Sequence, residues 1–227
     1  MQFSKFESIV SPSRINRYLQ ASNGDTKKAM TLYRYNLHLS QEMFTIIGCF
    51  EVSLRNAIDN HFFKTLGSNW LKNSVQNNGI FNNKHCYFTT YSINEAIKNL
   101  KHNYTHNKLV AELGFGFWRY LFAQQQFNAT GKNLLNIFPS KPTSSASNQY
   151  NNKYVFNQLA KINIARNRIA HHEPICFQSL FPTISTSEIR EAYSIIMMFF
   201  QWLNIDSASY LYGLDHIKNI CNKIDSK

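Results

Sequence analysis

The sequence lacks paired cysteines. Its four Cys, at positions 49, 86, 176 and 221, are scattered without any C-x-x-C pair, which fits neither a disulfide framework nor a zinc ribbon. A chain of 227 residues is long enough to bury about 70% of its unfolded surface without such a staple. We therefore predict reduced thiols, no metal site, no cofactor and a cytoplasmic location.

Long apolar runs are missing as well. The first residues, MQFSKFESIVSPSR, contain no apolar stretch of signal-peptide length. The most apolar run, Ile195 to Leu203, is interrupted by Gln201 and is too short to cross a bilayer. We expect neither export nor membrane insertion.

Acidic residues are scarce. Thirteen Asp and Glu stand against twenty-four Lys and Arg, which leaves a formal net charge of +11. Such a surplus favours a polyanionic partner, since phosphates release condensed counterions when Lys and Arg bind them. A membrane surface is the competing polyanion, but the basic residues are spread along the chain among many Tyr, Phe and Asn, a mixture suited to unstacked bases. We predict RNA as the partner and no membrane.

No stretch of any length alternates apolar and polar residues as a strand would. Helical spacing dominates, above all in one long stretch from Asp25 to Gly67, which predicts one very long helix or two abutting ones. Shorter helices are predicted from Ser11-Pro12, from Tyr91, from Thr186 or Ser187, and through Leu211 to Ile220. We predict an all-α bundle of long central helices with short accessory ones, a single domain over residues 1–227, and mobile loops at about 69–90 and 139–153.

The segment from Lys161 to Ile175, KINIARNRIAHHEPI, collects the side chains most suited to acid/base chemistry. Pro174 disfavours helical backbone at the residue before it, so the helix should end at about His172. An ordinary His titrates near pH ~6.5, so it can both take and give a proton. Positions four apart on a helix are neighbours, which pairs Asn167 with His171, whereas Arg166 points about 140° away from His171.

These residues read R-N-x-x-x-H from Arg166 to His171, a pattern that resembles the signature of HEPN-domain ribonucleases. The longer run RNRIAHHEPI resembles the Abi-like (abortive infection) branch of that group. So do LYRYNLHLSQ, FEVSLRNAI, the stretch Arg17 to Leu19, and the aromatic run Phe115 to Phe122. The similarity covers most of the chain in the right order.

The resemblance implies a HEPN-like helical bundle that cleaves RNA without a metal, through attack of the 2′-hydroxyl on the neighbouring phosphorus. It also implies a homodimer in which two motif helices build one composite site. His171 is expected to transfer protons and Arg166 to bind the phosphate. Asn167 is expected to orient His171 or the phosphate. Accessory roles are expected for His172 as a second proton donor and Arg168 as a phosphate contact.

A second set, Arg55-Asn56 with His61, follows Glu51 on the long helix with one residue more between Asn and His. It could be a repeat of the motif that pairs with the first set inside one chain. The simpler interpretation is an i,i+4 pair of Glu51 with Arg55 that supports the structure or the other motif.

Three further cations are expected to contact RNA: Arg119, Lys153 and Lys161. His102 and His106, four apart, could supply half of a metal site, but no third ligand is evident. Two other functions stay open. The chain could hold a structured, regulatory noncoding RNA with catalysis weak or suppressed, since some Abi-like proteins resemble toxins encoded beside a noncoding RNA that restrains them. It could also be a protein-interaction subunit of a phage-defence assembly.

Overall fold

The computed structural model describes residues 1–178 and 181–227. Within them the α-helices are α1 (Phe3–Val10), α2 (Pro12–Ala21), α3 (Thr26–Leu66), α4 (Trp70–Ser74), α5 (Tyr87–Leu100), α6 (His106–Glu112), α7 (Phe115–Tyr120), α8 (Gln124–Ala129), α9 (Asn152–Ala170), α10 (Ser187–Trp202), α11 (Ser207–Tyr210) and α12 (Ile217–Asp225). Short 3-10 helices lie at Lys84–Cys86, Lys101–Asn103 and Leu134–Ile137. The described residues contain no strand, only an isolated antiparallel bridge between Phe177 and Ile184. The predicted all-α class is confirmed.

The helix starts follow the predicted capping residues. Ser11 Oγ accepts the backbone N–H of Arg14 at the start of α2. Asp25 Oδ1 accepts the backbone N–H groups of Lys27 and Lys28 at 2.9 and 3.1 Å. These bonds satisfy donors that the first turn of a helix leaves free. From Asp25 onward the long helix is continuous, so α3 is one helix of 41 residues rather than two.

Several boundaries differ from the prediction. The segment after α3 contains α4, and α5 begins one turn before the predicted Tyr91. The helix predicted through Leu211 to Ile220 begins only at Ile217, as α12, because the chain turns at Gly213, whose φ is +74°; the short helix α11 ends before the predicted range. The helix α1 was not predicted, and it is anchored by the buried ring of Phe6.

The chain divides into two compact units. Unit 1 comprises Met1–Gly48, Ile164–Met197 and Ser207–Lys227, and unit 2 comprises Cys49–Asn163 and Met198–Asp206. Residues of α3, α9 and α10 occur in both. We propose that the whole chain nevertheless unfolds as one domain, which thermal unfolding can test.

In unit 1 a chain of aromatic edge contacts lies at the core. Tyr18 of α2 contacts Tyr33 of α3 and Phe177, with ring centroids 5.2 and 5.0 Å apart. Burial raises the pKa of the Tyr18 hydroxyl well above its usual range. Helix α12 contributes Ile217, Ile220 and Ile224, each nearly inaccessible, at helical spacing.

Unit 2 has a denser aromatic core. Phe199 packs against Phe50, Phe138 and Trp202 with ring centroids 5.3 to 5.7 Å apart. Trp118 is fully buried, and its Nε1 donates to the carbonyl oxygen of Leu113 at 2.7 Å. In the part of the chain that the structure describes, no helix combines the length and the apolar character that spanning a bilayer requires.

Candidate active site

Helix α9 ends at Ala170, two residues earlier than predicted, and the two histidines form its C-terminal cap. The backbone N–H of Glu173 bonds to the carbonyl of Arg168 at 2.8 Å, and that of His172 bonds to Ile169 at 3.0 Å. These two bonds define a Schellman motif, in which the residue after the cap takes left-handed backbone. His172 occupies that position with φ +56°. Pro174 follows where the helix cannot continue.

Two residues of other helices hold this cap in place within unit 1. Arg14 of α2 donates from Nη1 to the carbonyl oxygen of His172 at 2.8 Å. Asn36 of α3 is buried, and its Oδ1 accepts the backbone N–H groups of Ile175 and Cys176 at 2.8 and 3.2 Å. Hydrogen bonds from two other helices therefore fix the backbone that follows the motif, at His172 and again at Ile175 and Cys176.

Arg168 supports the fold. Its Nη1 donates to Glu188 Oε2 and its Nη2 to the carbonyl oxygen of Pro174, while Nε lies 3.8 Å from Glu173. Only 14% of its side chain is exposed. Its donors therefore bind the chain itself and stabilise the cap, and the expected phosphate contact of Arg168 stays a prediction.

Arg166 has a different environment. It is half-buried, and its Nη1 donates to Oδ1 of the neighbouring Asn167 at 3.5 Å. No carboxylate of the described residues lies within 4.0 Å of its guanidinium group. Asn167 directs its side-chain oxygen toward Arg166, whereas the expected contact with His171 is a backbone one, from His171 N–H to the carbonyl of Asn167 at 2.9 Å.

Both histidine side chains are exposed. Within the described part of the chain, neither imidazole of His171 or His172 forms a side-chain hydrogen bond or ion pair. The backbone N–H of His171 bonds to the carbonyl of Asn167, so the residue is fixed at the helix end and its side chain is exposed. Such a ring can exchange protons with a bound substrate.

The second Arg-Asn-His set has structural contacts in unit 2. His61 Nε2 hydrogen-bonds Asn133 Oδ1 at 2.9 Å. Arg55 turns its Nε into a buried position without a partner, and Glu51 forms no ion pair with it in the described residues, which corrects the predicted i,i+4 pair. Asn56 is exposed on the same helix. In this second set, the Nε2 atom of His61 is therefore already hydrogen-bonded within the protein.

The three predicted RNA contacts also lie in unit 2. Arg119 stacks over the ring of Phe156, 4.4 Å from its centroid, and its Nε is buried without a hydrogen-bond partner. Burial lowers the pKa of Arg119, partly offset by Tyr120. Lys153 and Lys161 are exposed on α9.

His102 and His106 do not share one helix, so they do not lie on one helical face. His102 lies in a 3-10 helix and His106 begins α6, with extended backbone between them. His106 Nε2 and Trp70 Nε1 both bond Asp59 Oδ1, each at 2.7 Å. Residues 1–178 and 181–227 contain no cluster of three or more His, Cys, Asp or Glu that could hold a metal ion.

Two residues that shape the site, Asn36 and Arg14, were not singled out from the sequence. Asn36 had a signal, because it occupies an apolar position of α3. Buried residues precede and follow it at intervals of three and four: Ala29, Leu32, Leu39 and Met43. A polar residue on such a stripe needs hydrogen-bond partners. Arg14 had no comparable signal, since its acceptor is a backbone carbonyl 158 positions away.

A family model described as Abi-like protein matches residues 2–176. That range includes the N-terminal helices, all of α9, the cap and Asn36 with both of its partners. No curated protein and no solved structure is significantly similar to this chain.

Proposed function

The chain belongs to the Abi-like family, and from this premise we propose that it is a metal-independent endoribonuclease of the HEPN type that acts in abortive infection. The R-N-x-x-x-H motif would be its active site. His171 transfers protons, Arg166 binds the scissile phosphate, and Asn167 orients Arg166.

The observation that carries the proposal is the contrast between the two arginines of the motif. The guanidinium group of Arg168 interacts with Glu188, Glu173 and a backbone carbonyl. Arg166, two positions earlier, has no carboxylate within 4.0 Å in the described residues, and its hydrogen bond to the side-chain oxygen of Asn167 is long, at 3.5 Å. A planar guanidinium without an acidic partner is well suited to binding phosphate through two parallel hydrogen bonds.

The reaction needs one proton removed and one added. His171 takes the proton of the ribose 2′-hydroxyl as that oxygen attacks phosphorus, and the P–O5′ bond breaks. The products are a 2′,3′-cyclic phosphate and a 5′-hydroxyl, whose proton comes from a second acid. Arg166 stabilises the negative charge that develops on the phosphoryl oxygens.

The second acid is most simply a second copy of His171. We propose a homodimer in which two motif helices face one phosphate, because a two-fold axis brings identical groups to both sides of it. His172 is the alternative acid within one chain. The set around His61 is less suited to this role, since Asn133 already binds its Nε2.

A second candidate is a protein that holds a structured noncoding RNA and cleaves slowly or not at all. The distribution of charge favours it: unit 2, which does not contain the motif, has twelve Lys and Arg against five Asp and Glu. In the first candidate the motif cleaves the RNA, and in the second the protein binds the RNA with little or no cleavage.

The deciding experiment incubates the purified protein with labelled RNA in EDTA. We expect cleavage with cyclic phosphate ends, lost in Arg166→Ala and in His171→Ala. Arg34→Ala, the same change at an exposed arginine of α3 in unit 1, serves as the control and should cleave normally. Cleavage that requires added metal, or that survives both substitutions, would contradict the enzyme. RNA that co-purifies intact with the parent protein would support the second candidate.

A further inference from the structure

Helix α5 in unit 2 exposes three aromatic side chains in succession. Tyr87, Phe88 and Tyr91 are 63%, 73% and 54% exposed. The rings of Tyr87 and Tyr91, one helical turn apart, lie nearly parallel, with 23° between their planes and 6.5 Å between their centroids. Scattered exposed aromatics are ordinary, but contiguous ones mark binding surfaces.

A cavity of about 260 Å³ continues from these rings. Its walls include Phe88 of α5 together with Phe117 and Tyr120 of α7. Tyr120 is itself 42% exposed. The volume is apolar on its sides and open to solvent, so a flat ring can enter it.

A second cavity, of about 300 Å³, lies beyond Phe156, whose ring contacts Tyr120 edge to face at 5.8 Å. Its walls carry the exposed amide of Asn157 and the ammonium group of Lys153, whereas the amides of Gln124 and Asn152 donate hydrogen bonds to the chain itself. Amide groups can hydrogen-bond the edges of bases, and an ammonium group can bind phosphate. The chemistry thus changes from ring faces to polar edges along one surface.

Arg119 lies beside this junction. Its guanidinium stacks on Phe156, and its buried Nε has no partner among the described residues. None of the residues that line the two cavities is acidic. Lys84 precedes α5 and adds a further positive charge, and no carboxylate in the walls of either cavity offsets these cations. Unit 2 as a whole has seven more basic than acidic residues.

We propose that these four rings, Tyr87, Phe88, Tyr91 and Tyr120, with the two adjoining cavities, form a binding surface for single-stranded RNA. We call them the aromatic surface. Unpaired bases stack on the rings, the amide of Asn157 in the second cavity binds base edges, and Lys153 with Arg119 binds the phosphates. A duplex would not fit this chemistry, because its base faces are already stacked. A second copy of this chain could pack against the rings, but its own net positive charge would be repelled by the uncompensated positive charge of this surface.

This surface extends the proposed ribonuclease with a substrate-holding site, but it does not depend on cleavage. The test therefore measures binding in a full-length His171→Ala parent, which cannot consume its probe. Fluorescence anisotropy with a 12-nucleotide single-stranded RNA and a matched RNA duplex is compared for Phe88→Leu, Tyr91→Leu and Lys153→Gln. The leucine variants keep apolar area and remove the flat ring.

We expect each leucine variant to bind the single strand about fivefold or more weakly, since stacking contributes strongly for each base. Lys153→Gln should reduce the slope of log affinity against log salt by about 0.7. Tyr91→Phe, which keeps the ring, should bind more tightly than Tyr91→Leu. Tyr212→Leu is the matched control in unit 1, where Tyr212 is 88% exposed.

Three results would overturn the proposal: leucine variants that bind like the parent, equal weakening by Tyr212→Leu, or a preference for the duplex. If instead the leucine variants shift the protein from dimer to monomer in size-exclusion chromatography with RNA binding unchanged, the surface joins two copies and the RNA assignment is wrong. Melting temperatures of all variants show whether each is folded. A failure of cleavage by the wild-type protein would leave these binding results as they stand.

Discussion

Arg14 on α2 donates a 2.8 Å hydrogen bond to the backbone carbonyl of His172, the residue with left-handed backbone at the end of the motif helix. The bond fixes the turn that presents His171 to solvent. Left-handed backbone is strained for residues with a Cβ, although His tolerates it better than most. The conformation of this turn therefore affects both the stability of the protein and the position of His171 in the proposed active site.

The first prediction concerns that strained position. His172→Gly should raise the free energy of unfolding by up to about 1 kcal/mol, because Gly adopts positive φ without strain. His172→Val should lower it, since a branched side chain is poorly tolerated there. Urea unfolding measures both.

The glycine variant also decides whether His172 takes part in cleavage. We expect His172→Gly to retain cleavage, because the cap survives and the second acid comes from the other copy. Loss of cleavage in this well-folded variant would assign the second proton to His172.

The second prediction separates the two arginines of the motif. Arg166→Ala should abolish cleavage and leave the melting temperature almost unchanged. Arg168→Ala should lower the free energy of unfolding by about 1–2 kcal/mol, since it removes a partly exposed ion pair and a bond to a backbone carbonyl. Thermal melting and the EDTA cleavage assay are run on both. An equal loss of stability in the two variants would refute the distinction.

The third prediction concerns Asn36. Asn36→Leu should lower the free energy of unfolding by about 2–4 kcal/mol, because the backbone N–H groups of Ile175 and Cys176 lose their acceptor. Asn60→Leu, at an exposed position of the same helix, should cost little and provides the control. If both substitutions had the same effect, the two bonds would not matter to stability.

The fourth prediction tests the composite site. Wild-type protein is mixed with an excess of an Arg166→Ala/His171→Ala double variant under conditions that exchange subunits. If each site needs both chains, activity should fall with the square of the wild-type fraction. A linear fall would mean that each chain acts alone.

The fifth prediction is a pH dependence. Burial raises the pKa of the Cys176 thiol to about 12 from an ordinary value of 9.0, since the thiolate would be desolvated. Its contribution to stability is complete below pH 9 and is lost as pH rises toward 12, because the unfolded chain loses this proton first. Cys176→Ala should therefore unfold with a weaker dependence on pH between 9 and 11 than the wild type. Urea unfolding at several pH values measures this dependence, and an identical change of the free energy of unfolding with pH in the two proteins would contradict the prediction.

Local sequence patterns were sufficient to predict some boundaries of this fold. The start of α3 at Asp25 and the end of α9 near Pro174 were predictable, because a capping side chain and a proline act on their own neighbours. The roles of Arg166 and Arg168 were not distinguishable, since both stand in one short basic motif. What separates them is Glu188, twenty positions away, which the fold brings to Arg168.

Two features depended wholly on the fold. The exposed rings of α5 have the same helical spacing as core residues, so the sequence could not tell an outward aromatic face from an inward one. The buried Asn36 acquires its two donors from residues about 140 positions later.

The sequence by itself determined the helical class, the position of the R-N-x-x-x-H motif and the excess of positive charge, because these follow from composition and from the spacing of neighbours. The tertiary structure alone decided which arginine is left without a carboxylate, which carbonyl fixes the turn at His172, and which aromatic rings face solvent. Those properties depend on contacts between distant segments, and a hydrogen bond or an ion pair forms only where folding brings its two partners within a few ångströms.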